Sequence, residues 1–172
     1  VGSAPAAGNL AWGYWSGSGA QLTDSSYQSY TTSGPSTAIP WITGSATNTL
    51  PTALGSTSYT MVGSLVNGGS GTLNSASLSA DFVNRTMSVS LNATNPLAGA
   101  TFQMSGSSGI SAVNSRFSAG FSSVTCSGSC GGSAGGSFSG FFSGAQAEGA
   151  GLSFFAGAGP SVTVGGVAAF KR

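Results

Sequence analysis

Acidic side chains are the residues of this chain best suited to acid–base chemistry, and the sequence holds only three of them, Asp24, Asp81 and Glu148. It contains no histidine, which excludes a Ser-His-Asp triad and a histidine-bearing zinc site within the chain. Two carboxylates could hydrolyse a glycoside if the fold brought them together, but no spacing in the sequence predicts that. We interpret Asp81 as a solvent-facing strand residue and Glu148 as a turn residue that accepts backbone N–H groups. The sequence therefore predicts no catalytic residue, no metal site, no cofactor and no enzyme.

The two cysteines, Cys126 and Cys130, form the one pair with covalent potential. A pair at this spacing could supply half of a metal site or form a disulfide. No further cysteine and no histidine exist to complete a metal site, and disulfides persist in exported proteins. We expect a disulfide that pins the end of a hairpin, and a ring this small contributes about 2 kcal/mol.

Composition points to an all-β protein. Charged residues make up only 4% of the chain, the net charge is +1, and hydrophobic residues reach 40%, whereas disordered chains combine low hydrophobicity with high charge. Glycine is abundant and charged helix formers are scarce, so long helices are not expected. The four basic residues are scattered or terminal, which predicts no nucleic-acid partner. No apolar run approaches the roughly 20 residues of a membrane helix.

Alternating apolar and polar residues predict the strands. The clearest pair flanks a predicted two-residue turn at Asn84 and Arg85. In the last strand, Gly165 and Gly166 interrupt the pattern, which suggests a bulge. The predicted strands are 57–66, 72–83, 86–94, 100–106, 112–125, 135–143, 150–156 and 162–170.

Eight strands in meander order predict an antiparallel up-and-down β-barrel over residues 56–172, because closure removes both sheet edges. Alternation fits an outer-membrane barrel as well. The small hydroxyls of the polar faces, and the absence of an aromatic girdle, favour a water-soluble barrel. Residues 1–55 are predicted to form an arm (1–9), a long loop (16–38) and short strands that pack on the barrel.

Four aromatic residues in this N-terminal part form the second candidate site: Trp12, Tyr14, Trp15 and Trp41. They could form a platform near the barrel mouth for a glycan, a haem-like ring or a partner protein. They could instead anchor the N-terminal segment on the barrel, because aromatic side chains bury large areas. We favour the structural interpretation and keep the contact site as the alternative.

The C-terminal sequence GSFSGFFSGAQAEGAGLSFF…VTVGGVAAFKR resembles the end of the β-barrel domain of transferrin-binding protein B. It resembles still more closely the C-terminal barrel domain of bacterial FecR-domain proteins. The resemblance covers about residues 10–172 and implies a barrel exported to the bacterial surface, the periplasm or the extracellular space. It marks Gly144, Ala147, Glu148 and Gly149 as a family turn motif, and its members often carry a cysteine pair at this place. The chain is much shorter and less charged than transferrin-binding proteins, so no transferrin-contacting residue is carried over.

The sequence is compatible with three functions. The first is a non-enzymatic barrel that binds a partner protein or a small ligand. The second is a homopolymer-forming subunit of an extracellular filament, coat or matrix, linked through its N-terminal arm. The third is the sensory domain of a FecR-like envelope protein. Binding is slightly favoured over assembly.

Overall fold

A computed structural model describes residues 2–4, 8–16, 21–23, 29–31, 38–159 and 162–172 of the chain. Parts of the predicted arm and of the predicted loop 16–38, including Asp24, lie outside these described residues. The described part of that loop is not irregular throughout, because residues 21–23 and 29–31 pair as two short antiparallel strands.

The described residues form fourteen strands and two single turns of 3-10 helix, Thr52–Leu54 and Asn67–Gly69. Strands dominate because the chain alternates small hydroxyl side chains with apolar ones over most of its length. In chain order the strands are β1 (Gly2–Ala4), β2 (Leu10–Ser16), β3 (Gln21–Thr23), β4 (Ser29–Thr31), β5 (Ala38–Thr43), β6 (Ser56–Val66), β7 (Thr72–Asp81), β8 (Thr86–Asn95), β9 (Ala100–Gly109), β10 (Arg116–Gly120), β11 (Ser123–Gly128), β12 (Ala134–Ser143), β13 (Gly149–Ala158) and β14 (Thr163–Lys171).

Nine strands form one curled antiparallel sheet in the order β10-β12-β13-β14-β6-β7-β8-β9-β11. The last strand, β14, pairs with the first, β6. The two edge strands, β10 and β11, are consecutive in the chain, and they pair with β12 and β9 respectively. The segment 116–128 therefore links both edges, and the curled antiparallel sheet has the predicted all-β barrel-like architecture.

The strand predicted at 112–125 differs from the structure at its start and in its middle. Residues 112–114 form a turn, in which the Val113 side chain is 87% exposed, and β10 begins only at Arg116. The segment is then interrupted between β10 and β11. Counted as one interrupted strand, it gives the eight predicted strands; counted as two, it gives nine.

The interruption is the place where the chain changes its pairing partner. The Phe121 backbone N–H donates to the Gly136 carbonyl of β12 over 2.9 Å. The neighbouring Ser122 hydroxyl donates to the Ser105 carbonyl of β9 over 3.1 Å. Hydrogen bonds on both sides of the interruption hold the two sheet edges together.

Apolar side chains fill the barrel interior around Phe142. Its ring centroid lies 5.5 Å from that of Tyr59, 5.1 Å from Phe82 and 5.3 Å from Phe117. The predicted apolar faces of the 72–94 hairpin and of the strands at 135–156 are confirmed as interior faces. Their buried members are Leu78, Ala80, Phe82, Met87, Val89, Leu91, Ala93, Phe138, Phe142, Leu152, Phe154 and Ala156.

A β-bulge in β6 reverses the face of its last residues. Phe170 of β14 pairs with Met61 and the preceding Ala169 pairs with Gly63, so Val62 is the extra residue. Strict alternation would put Gly63 and Leu65 on the same face as Tyr59 and Met61, but the bulge places them on the other face. Beyond the bulge these two residues face outward, where Leu65 packs against the N-terminal strands.

The bulge predicted at Gly165 and Gly166 is not found, because β14 runs unbroken from Thr163 to Lys171. The predicted break arose because β14 is buried on both faces. Val164 and Ala168 point into the barrel, whereas Val167 and Ala169 point outward and are equally buried.

A small sheet of β1, β2 and β5 covers the outer wall of the barrel at β14 and β6. Leu10 and Trp12 of β2 pack on Val167 and Ala169 of β14. The N-terminal segment therefore contributes a second, smaller hydrophobic cluster outside the barrel.

The segment after β5 closes one end of the barrel. Leu50 is buried in the barrel core. Thr47 is fully buried; its N–H donates to the Phe142 carbonyl over 3.0 Å and its hydroxyl to the Gly144 carbonyl over 2.8 Å. The Ser115 hydroxyl donates to the Thr47 carbonyl. Residues 44–55 are thus fixed across this end, which we call the closed end.

Hydroxyl side chains cover the outer wall where the small sheet is absent. Ser58, Ser79, Ser88 and Ser107 pair across four adjacent strands. The hydroxyls of Ser79 and Ser88 lie 2.7 Å apart and share a hydrogen bond. Within the described residues, no helix combines the length and apolar character required to cross a membrane.

Candidate functional site

Trp12 lies between the small sheet and the barrel wall. Its side chain is 8% exposed and packs with Leu10, Val167 and Ala169. A β-carbon at Gly63 would overlap its indole ring, so the missing side chain of Gly63 provides the space for it. This position provides the anchoring contact expected of the structural interpretation.

The four predicted aromatic contacts do not all lie on one face of the small sheet. Trp41 pairs with Gly13 and therefore lies on the opposite face of the small sheet. Tyr14 is 44% exposed. Trp15 pairs through its backbone with Ile39, and its side chain is outside the described part of the structure. A ligand contact at these residues stays a prediction.

The predicted family turn motif, Gly144 to Gly149, links β12 to β13 at the closed end. Gly144 and Ala147 adopt φ values of 88° and 53°, in the left-handed region. Glu148 acts as a turn acid, because its Oε2 accepts the Gln146 N–H over 3.0 Å. Its backbone carbonyl accepts the Arg172 N–H over 2.9 Å. The motif therefore fixes the turn to the last residue of the chain.

Tyr59 reaches this turn from inside the barrel. Its hydroxyl donates to the Ala147 carbonyl over 2.7 Å, and both residues are buried. Burial raises the pKa of the Tyr59 phenol far above its ordinary value, because the anion would be poorly solvated there. Tyr59 is thus held neutral as a structural hydrogen-bond donor.

The two cysteines form the predicted disulfide, Cys126–Cys130. Cys126 belongs to β11 and pairs with Phe102 of β9, while Cys130 lies in the turn that leads to β12. The bond thus ties the end of β11 to the following turn, as the sequence predicts.

Asp81 holds the turn between β7 and β8. Its Oδ1 accepts the N–H groups of Val83 and Asn84, and its Oδ2 accepts the Asn84 amide and the Ser56 hydroxyl. The hydrogen bonds from Asn84 are the main reason why the pKa of this carboxyl is lowered. The predicted two-residue turn is corrected to four residues, 82–85, with Arg85 in the left-handed region.

A groove runs along the outer barrel wall beside the small sheet. Its floor is a row of serines paired across β10, β12 and β13: Ser118, Ser139 and Ser153. The hydroxyls of Ser139 and Ser153 lie 2.9 Å apart. One side is formed by β5 and the residues after it, with Ile42 and Gly44 on the lining.

The inner corner of this groove is apolar. The Phe141 ring lies over Gly151, where a β-carbon would be 2.8 Å from the ring and 3.2 Å from Ile42 Cδ1. On Gly44, a β-carbon would lie 2.9 Å from Leu10 Cδ2 and 3.2 Å from Phe141. Glycines at these positions let the small sheet approach the wall closely.

One cation stands at the end of the groove. Arg116 is exposed and lies opposite Phe141, an outward-facing residue of the neighbouring strand β12. The Arg116 backbone N–H donates to Asn114 Oδ1 over 3.3 Å. No acid of the described ranges forms an ion pair with its guanidinium. The groove therefore offers one free positive charge, several hydroxyls and an apolar corner.

The described residues contain no group of three or more metal-ligating side chains. The Asp81 carboxylate accepts hydrogen bonds within the β7–β8 turn, and the Glu148 carboxylate accepts one within the β12–β13 turn. Sequence reasoning did not find the groove, because its residues come from β5, β10, β12 and β13, and only their outward positions could be read from alternation.

Comparisons with known proteins give structural similarity alone. No protein-family model matches the chain, and no curated protein matches its sequence. Among solved structures, a single mutant of the vaccine antigen transferrin binding protein B (TbpB) from Haemophilus parasuis Hp5 matches 78% of this chain with 15% identity and a TM-score of 0.49. A double mutant of the same antigen matches 78% with 17% identity and a TM-score of 0.47. The chain spans 30% and 28% of the length of those two chains.

Proposed function

We propose that this chain is a non-enzymatic binding domain, exported by a bacterium to its surface or periplasm. The groove between the small sheet and the barrel wall is its binding site. The ligand class is a small molecule that carries a carboxylate and several hydroxyl groups, as a sugar acid does. The observation that carries this proposal is the free guanidinium of Arg116 at the end of a serine-lined floor.

The chemistry of the groove selects this ligand class. A guanidinium is pre-shaped to bind a carboxylate through two parallel hydrogen bonds. The hydroxyls of Ser118, Ser139 and Ser153 can each donate and accept, which suits ligand hydroxyl groups. Phe141 and Ile42 offer an apolar edge for the carbon side of a sugar ring. Export is supported by the disulfide and by the resemblance of the C-terminal sequence to surface barrels.

The test is titration with glucuronate and with glucose, followed by chemical-shift changes of backbone amides. Glucuronate is expected to shift the amides of β10 and β12, and glucose is expected to bind more weakly, because it lacks the carboxylate. Arg116→Gln is expected to lower the glucuronate affinity at least about tenfold, since hydrogen bonds to charged groups contribute about 1.5–3 kcal/mol.

Arg116→Lys and Arg85→Asn are the matched controls. Lysine keeps the charge and should retain part of the affinity, whereas Arg85 lies outside the groove lining and its replacement should change nothing. If glucuronate and glucose shifted the same amides equally in wild type and Arg116→Gln, the carboxylate site would be wrong.

The second candidate function is assembly into a homopolymer through the N-terminal arm. Strand β1 of only three residues covers the edge of β2, and Gly2 lies against the Trp12 ring. Because so few pairs hold β1, the same contacts could form with the β2 edge of a second copy. This exchange would link copies without changing the barrel.

Oligomeric state separates the two functions. Light scattering over a concentration series, with electron microscopy of the same sample, should show ordered polymers if arms are exchanged. Deleting residues 1–7 should then abolish the polymers. Polymers that persist after the deletion would contradict arm exchange, and a monomer at high concentration would leave the binding function alone.

A further inference from the structure

The fold gathers all four basic residues of the chain at one end of the barrel. Arg85 lies in the turn between β7 and β8, Arg116 begins β10, Lys171 ends β14 and Arg172 follows it. All of these positions belong to the closed end. The sequence has no other basic residue, so none stands at the opposite end, where the described chain turns near residues 67–71, 96–99 and 129–133.

The two acids at the closed end do not neutralise these cations. Asp81 directs both carboxylate oxygens to its own turn and to Ser56. Glu148 directs Oε2 to the Gln146 N–H. Neither forms an ion pair with a basic residue of the described segments, and the third acid, Asp24, is outside them. The closed end is therefore net positive, while the rest of the described surface is uncharged.

Exposed aliphatic side chains stand between the cations. Val83 is 62% exposed, Val113 is 87% exposed and Leu54 is 36% exposed, and all three project from turns at the closed end. The turns that carry Val83 and Val113 are joined, because the Ile110 N–H donates to the Arg85 carbonyl over 2.8 Å. Apolar tips and cations thus alternate around one rim.

We propose that the closed end of the barrel docks on an anionic lipid surface. Arg85, Lys171 and Arg172 would contact lipid phosphates. The exposed aliphatic side chains Val83, Val113 and Leu54 would enter the boundary between headgroups and acyl chains. The outer wall would stand away from the membrane and leave the groove accessible. This inference does not depend on the proposed ligand of the groove.

The arrangement favours a lipid surface over a soluble acidic partner. The cations are distributed around the rim rather than gathered in one cleft, which suits a plane of many phosphates better than a single polyanion. The aliphatic tips gain nothing from a soluble polyanion, whereas the lipid interface accepts them. Because only four cations are present, the docking is reversible and depends on salt.

The test is flotation of the full chain with vesicles of phosphatidylglycerol and phosphatidylcholine, compared with vesicles of phosphatidylcholine alone. Binding is expected only with the anionic vesicles, and it should fall when the salt concentration rises from about 50 to about 300 mM. A soluble polyanion, dextran sulfate, is the second probe and should bind less tightly than the vesicles.

Two groups of variants separate the contributions. Arg85→Asn combined with Lys171→Ser and Arg172→Ser should weaken vesicle binding by up to about 100-fold, from about fivefold per cation. Asparagine is chosen at position 85 because Arg85 has a φ of 53°, which asparagine tolerates. Val83→Ser with Val113→Ser should weaken binding to vesicles and leave binding to dextran sulfate unchanged.

The control variant is Leu97→Ser, because Leu97 is 84% exposed at the opposite end. It should bind vesicles as the wild type does. Equal binding to neutral vesicles, or unchanged binding of the triple cation variant, would overturn the proposal. Tighter binding to dextran sulfate than to anionic vesicles would also overturn it, in favour of an acidic macromolecule. Circular dichroism of each variant checks that it is folded. Glucuronate binding to the groove is measured in a separate titration, so that failure of one proposal does not affect the other.

Discussion

The indole ring of Trp12 occupies the space that a β-carbon on Gly63 would need. Trp12 belongs to the small sheet and Gly63 to the first barrel strand, immediately after the bulge at Val62. The bulge turns Gly63 outward, and the absence of its side chain lets the ring approach the wall. One backbone irregularity and one glycine thus create the attachment site of the N-terminal segment.

Gly63→Ala should detach or displace the small sheet. The new methyl group overlaps the Trp12 ring, and overpacking of this kind costs typically about 1–3 kcal/mol. The free energy of unfolding from urea titration should fall by that amount, and the tryptophan emission, to which Trp12 contributes, should shift toward that of a solvent-exposed indole.

Gly135→Ala is the control for that substitution. Gly135 is also a strand glycine, but nothing lies within 4 Å of the position of an added β-carbon. Its replacement should leave stability unchanged or raise it slightly, because alanine is less flexible in the unfolded chain. Equal losses in both variants would show that strand glycines matter in general and that the contact with Trp12 does not.

Tyr59→Phe should destabilise the barrel at neutral pH. It removes the hydroxyl that donates to the Ala147 carbonyl over 2.7 Å and leaves that buried acceptor without its partner. Such an orphaned group costs about 1–3 kcal/mol. Urea titration at neutral pH measures the loss.

The same residue should make the fold sensitive to alkali. Burial raises the pKa of the Tyr59 phenol, so the neutral form is favoured in the folded state. Its contribution is fully present below the unfolded pKa, about 10, and is lost as the pH rises above that value. The stability difference between wild type and Tyr59→Phe should therefore shrink above about pH 10. A constant difference up to higher pH would contradict this role.

Alternation predicted the barrel strands well where one face is solvent and the other is core. Met87, Val89 and Leu91 point into the barrel, as alternation predicts, because the residues between them are serines that face water. The method failed at β14, where Val167 and Ala169 are buried on the outer wall by the small sheet. When both faces of a strand are buried, apolar residues occur on both faces, and the alternation of apolar and polar residues that predicts a strand disappears.

The candidate groove could not be predicted from sequence for a different reason. Arg116, Phe141 and Ile42 come from three strands that are distant in the chain. Each looks like an ordinary strand residue until the register between β10 and β12 is known. By contrast, the disulfide was predictable, because its two cysteines are local and have no competing partners.

Asp81→Asn should remove an acid-sensitive part of the stability. Hydrogen bonds from Asn84 lower the pKa of the Asp81 carboxyl in the folded state. Its contribution is therefore present above the ordinary carboxyl pKa, about 3.9, and is lost as the pH falls through the lower folded value. The urea midpoints of wild type and variant should differ at neutral pH and converge below about pH 3. Midpoints that differ equally at both pH values would exclude titration of Asp81 as the cause.

Replacement of both cysteines by serine should loosen one end of the barrel without unfolding it. The ring between Cys126 and Cys130 is small, and cross-linking it contributes about 2 kcal/mol. Phe102, the cross-strand partner of Cys126, stays buried in the core, so the loss should concentrate in the turn that leads to β12. Hydrogen exchange should accelerate at residues 128–133 and remain slow in β7 and β8, which are not linked to the disulfide. Uniform acceleration through all barrel strands would mean instead that the disulfide supports the global fold.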